Sequence, residues 1–144
     1  MATAIQAPPA VSRKTLWTSR VMRAIVVLFL LMDAGIHIAT PAPVVEAMTQ
    51  LGYPLNVTVT LGVIELVLTV LYVIPRTSIF GALLLTGYLG GAVAAHMRVG
   101  NPVFESYIFP VLMGALLWGG LVLVDSRLRA LIFKSSTPPP ARCR

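Results

Sequence analysis

Charge is scarce in this sequence, and cysteine almost absent. Asp, Glu, Lys and Arg make up only 11% of the 144 residues, less than half the share usual in a water-soluble domain. The one cysteine, Cys143, leaves no structural disulfide within the chain and no thiolate metal site. There is no CxxC, no CxxCH haem attachment, no P-loop and no GxGxxG after a strand. Alternation of apolar and polar positions is also missing, which excludes the short strands of an outer-membrane barrel.

What the sequence does have is long apolar runs. Hydrophobic residues make up 57% of it and the mean hydropathy is +0.86. Runs cover roughly 21–40, 56–75, 77–97 and 106–125. Each is long enough to cross a ~30 Å hydrocarbon core as a helix. The expectation is an all-α integral membrane four-helix bundle whose partner is the lipid bilayer.

The net charge of +6 does not point to nucleic acid, because all the basic residues but Arg98 lie at the chain ends and in one turn. Arg13, Lys14, Arg20 and Arg23 lie before or at the start of the first run, Arg76 lies between the second and third, and Arg127, Arg129, Lys134, Arg142 and Arg144 follow the fourth. By the positive-inside rule both termini are expected to be cytoplasmic. Asp33 and His37 interrupt the first run, and no small-residue cleavage site follows, so it reads as an uncleaved helix rather than a signal peptide. Residues 1–16 and 134–144 are Pro, Ser and Thr rich and are expected to be disordered, leaving 17–133 as the membrane domain. Between the first two runs, Val44 to Leu51, with Pro43 before and Gly52 after, reads as a short amphipathic helix capping the bundle on its outer surface.

Ionisable residues inside the membrane are functional candidates by default. Asp33 and His37 stand at i and i+4 and share a helix face. Glu65 falls at about the depth of Asp33, in a stripe Thr58, Gly62, Glu65, Thr69 and Tyr72. On the third run the matching face is Gly81, Tyr88, Ala92 and His96. Two readings stay open: an interhelical hydrogen-bond network that fixes packing, or a polar pocket open to the outer side that handles protons. Gly87, Gly90 and Gly91 have the small-xxx-small spacing of close helix packing, within one bundle or between copies. Arg98, where the third helix ends, is a further ligand-binding or proton-handling candidate, with a snorkelling anchor as its alternative reading. The histidines and carboxylates spread over more than two turns in depth, so no metal is expected.

The combination of DAGIH in the first helix, LGYP before the second, LGVIEL within it, then a PRT turn, GALLLTGYLGGAVAAHMRVGNP and FPVLMGALLWGGLVLVDSRLRAL resembles the DoxX-like family of small bacterial four-helix membrane proteins. The resemblance spans about residues 21–132, with the third-helix motif its most specific part. It maps the family's recurring residues onto His37, Glu65, Gly87, Tyr88, Gly90, Gly91, His96 and Arg98, and no catalytic assignment travels with them. The wider group is similar to a membrane subunit of thiosulfate:quinone oxidoreductase, and its members are associated with sulfur or thiol redox chemistry. The resemblance therefore implies an accessory subunit in a bacterial inner membrane beside a redox partner, with quinone as the candidate ligand and no covalent cofactor. The absence of cysteine from the apolar runs argues against thiol chemistry of the chain's own. A small proton-coupled permease and a purely structural subunit are the alternatives.

Overall fold

The computed structural model describes residues 12–132, and every regular element among them is helical. In chain order these are α1 (Arg13–Ala39), α2 (Ala42–Gln50), α3 (Leu55–Val73), α4 (Ser78–Val99), a π-helical turn (Phe104–Ile108) running directly into α5 (Phe109–Val122), and α6 (Ser126–Ile132). Three helices, α1, α3 and α4, are long and apolar enough to cross a membrane, and a fourth span exists if the bent pair Ser106–Val122 and Ser126–Ile132 counts as one. The surface fits such a setting: Leu28, Leu83, Phe80 and Val111 stand outward and exposed on these helices, a cost in water that lipid removes.

The helix α1 begins at Arg13, so residues 13–16 are helical and the disordered segment expected through residue 16 is corrected. Ser12 provides the reason: its side chain accepts the Thr15 amide, satisfying one of the orphan donors of the first turn. At about 40 Å, α1 outreaches the hydrocarbon core, and its basic first turns project beyond the apolar part. The expected tail 134–144 and the segment 1–11 lie outside the described residues. The short helix expected at Val44–Leu51 is present as α2, with Met48 turned inward.

Each long helix packs on two others, α1 and α4 both lying against α3 and α5. The buried stripe of α3 is Thr58, Gly62, Glu65, Thr69 and Tyr72, the polar face that helical spacing picks out. The α3–α4 hairpin is close at Gly81, where an added Cβ would run into the Tyr72 backbone nitrogen and lie 2.7 Å from the Leu71 carbonyl carbon and Tyr72 Cα. Between α1 and α5, a Cβ at Gly119 or Gly120 would run into Met22 or Arg23, and the Ser19 hydroxyl donates to the Gly120 carbonyl at 2.6 Å. Arg23 closes one end of the assembly, donating to the Tyr72 carbonyl and the Ser78 hydroxyl with its guanidinium 5.2 Å from the Tyr72 ring centre.

The end of the chain differs from a simple fourth span. After α5 the chain turns by 114° into α6. Asp125 makes the break: its Oδ1 accepts the Arg127 and Leu128 amides and so caps a new helix. At the other end of α5, the Phe109 amide reaches back to the Phe104 carbonyl. This wider π turn sits just before Pro110, which has no amide to donate.

Candidate functional site

A cavity of about 420 Å³ opens between α1, α3, α4 and α5, with α2 and the loop after it across one side. Its apolar walls come from Phe29, Leu61, Leu89, Phe109, Pro110 and Met113. The π turn places Ser106 one turn before Phe109 and Pro110, on the same face. Five of the residues singled out from the sequence, Asp33, His37, Glu65, Tyr88 and His96, line this one space. Arg98 does not.

The assembly of the polar group traces to Gly62. A Cβ there would lie 2.9 Å from the Ala34 carbonyl oxygen and 2.9 Å from His37 Cβ, so only glycine lets α1 and α3 come this close without displacement. One turn on, Glu65 is 1% exposed, and atoms of its carboxylate, the Asp33 carboxylate and the His37 ring all lie within 4.8 Å of one another. The Tyr88 hydroxyl donates to Glu65 Oε2 at 3.3 Å. His37 Nδ1 lies 3.0 Å from the Asp33 carbonyl oxygen and 3.5 Å from Asp33 Oδ2. Of the two histidines and two carboxylates that the sequence spreads over more than two turns in depth, the close crossing at Gly62 brings Asp33, His37 and Glu65 together. His96 stays apart from the group.

The two rings present different chemistry. The Asp33 carbonyl can only accept, so His37 Nδ1 carries the proton, and in the neutral ring Nε2 is an acceptor. Asn101 Nδ2 donates to His96 Nδ1 at 2.8 Å, which puts the proton of a neutral His96 on Nε2 as a donor. Along α4, His96 stands about 12 Å from Tyr88, so donor and acid cluster occupy opposite ends of the space.

The glycines of α4 are candidates for close packing, within one bundle or between copies. A Cβ added at Gly87, Gly90 or Gly91 meets nothing within 4 Å, and Gly87 and Gly91 border the cavity. Within this chain they leave room rather than contact. The close-packed glycines are Gly62, Gly81, Gly119 and Gly120. Arg98 also has a more specific place than an anchor: its guanidinium donates to the Leu51 carbonyl, tying the end of α4 to the turn at Gly52, whose φ of 76° suits glycine. Leu51 and Tyr53 on that turn line the cavity, and sequence reasoning did not single them out. The signal for Tyr53 lay in the LGYP motif.

Residues 21–120 match the model of the DoxX-like family. The chain belongs to that family. Comparison with curated proteins and with solved structures gives no match. For this DoxX-like membrane protein, the matched segment holds every residue of the polar cluster and the whole of α1's apolar part, α2, α3 and α4.

Proposed function

We propose that this DoxX-like protein is an accessory subunit of a membrane redox system that holds a quinone head group, or a small polar molecule of similar shape, in the cavity beneath α2. In this reading four helices cross a bacterial inner membrane as a bundle, both termini face the cytoplasm, and α2 lies on the outer surface. The observation that carries it is the pairing of an apolar-walled space, within the size range of small-molecule sites, with an acid cluster at one end and a histidine donor at the other.

The roles follow from the hydrogen-bonding groups. His96 Nε2–H donates to a carbonyl oxygen, and Tyr88 holds the Glu65 carboxyl in place. Reducing a quinone to its quinol adds two electrons and two protons. The partner subunit supplies the electrons, and the Asp33, His37 and Glu65 cluster relays the protons. With about 12 Å between the two ends, a single ring engages one end at a time, and an isoprenoid-like tail follows the apolar wall.

The test is native mass spectrometry of the protein gently extracted from its own membrane. A quinone mass retained by the wild type and lost in Glu65→Gln and His96→Ala is the expected result. An empty wild-type chain whose thermal unfolding is also unmoved by added quinone overturns the reading in favour of a carrier or a structural subunit.

A further inference from the structure

We infer that Asp33, His37 and Glu65 form a binding site for a divalent first-row transition metal ion, at the acid end of the cavity. The inference goes beyond the quinone reading and does not depend on it. Three ligand types that such ions accept, one imidazole and two carboxylates, meet from two helices with their atoms within 4.8 Å of one another. Around an ion bound at about 2.0–2.2 Å, ligand atoms stand roughly 3–3.5 Å apart. The widest pair must therefore close by about 1.5 Å, within reach of side-chain rotation.

Three further observations favour an ion. Glu65 is 1% exposed, with the Tyr88 hydroxyl donating to its Oε2 and its carboxyl group set beside that of Asp33. Among the described residues no Lys or Arg lines the cavity, so no fixed cation stands beside the two carboxyl groups, a position that a divalent ion can fill. Both ends of the site are also held as metal ligands usually are. His37 gives its Nδ1 proton to a backbone carbonyl at 3.0 Å, which fixes the ring and frees Nε2, and Tyr88 orients Glu65 from behind. Gly62 is the positioning residue, since it allows the helix crossing that brings the ligands together.

The experiment uses the full chain in detergent, stripped with chelator and titrated with Co²⁺ alone, with no quinone present. The wild type is expected to take up one Co²⁺ with visible d–d absorption, and Zn²⁺ to displace it. Glu65→Gln and His37→Ala should weaken binding by at least ~10-fold, the lower edge of what even outer-shell partners cost. Glu46→Gln, an exposed carboxylate on α2, should leave it unchanged. Because the ligand variants can misfold, Asp33→Cys supplies a gain-of-signal arm: titrated with Cd²⁺ it should develop a thiolate charge-transfer band that the wild type lacks. Absence of stoichiometric Co²⁺ from the wild type, or unchanged binding in the double variant Glu65→Gln/His37→Ala, overturns the inference, as does an Asp33→Cys protein without the band.

Discussion

Adding one methyl group at Gly62 or at Gly91 should have opposite consequences. In Gly62→Ala the new Cβ would stand 2.9 Å from the Ala34 carbonyl oxygen and from His37 Cβ, and 3.0 Å from Ile38 Cγ1. Two of these three atoms are anchored on or next to the α1 backbone, so the helices must separate by roughly half an ångström. Overpacking of that kind costs about 1–3 kcal/mol. The offsetting gain from replacing a helical glycine is at most about 1 kcal/mol, and less in lipid, where the unpacked chain keeps its helices. The net expectation is a loss of about 1–2 kcal/mol, a factor of roughly 5–30 in the folded population. In Gly91→Ala the Cβ meets nothing within 4 Å, and stability should stay level or rise by a few tenths of a kcal/mol. Reversible unfolding in mixed micelles, followed by circular dichroism, measures both. If Gly91→Ala loses more than about 1 kcal/mol while Gly62→Ala loses none, the assignment of these glycines is wrong. A loss at Gly91 that grows with protein density in bilayers would instead mean that another copy of the chain rests on α4.

Tyr88→Phe removes one 3.3 Å hydrogen bond to Glu65 and should cost about 0.6 kcal/mol, at most about 1.7, in the same unfolding assay; a loss of 3 kcal/mol or more would show that the hydroxyl organises far more than this contact. Arg98→Ala leaves the Leu51 carbonyl without its donor, so amide exchange at Leu51–Tyr53 should quicken at least tenfold while the buried stripe of α3 keeps its protection. Gly91→Leu should fill the cavity edge and expel a bound small molecule without unfolding the protein, read by native mass spectrometry beside the wild type. Topology is open to cysteine labelling in a Cys143→Ser background: a membrane-impermeant maleimide should reach Glu46→Cys in intact cells and Arg76→Cys only after permeabilisation, and the reverse pattern would invert the proposed orientation.

Much of this protein is written in local pattern. Helix length and hydropathy place the apolar segments, because in lipid every backbone group must find its partner within the segment. The inward face of α3, from Thr58 to Tyr72, follows from 3.6-residue spacing alone, and Gly100 ends α4 in the left-handed conformation that the GNP break suggests. Depth along a helix is equally local, which is why Asp33 and Glu65 could be paired on paper.

Packing settled what spacing cannot express. Whether a glycine admits a neighbour or leaves a space depends on the tilt and rotation of its helix. So Gly62 and Gly81 became contacts, while Gly87 and Gly91 became the border of a cavity. The closeness of His37 to both carboxylates arises from the crossing of α1 over α3, which no run of adjacent residues encodes. The clasp from Arg98 to Leu51 joins positions 47 residues apart, and the turn into α6 rests on one capping carboxylate, Asp125. Periodicity says which face of each helix turns inward; the meeting of those faces is a property of the side chains that keep the helices apart or let them close.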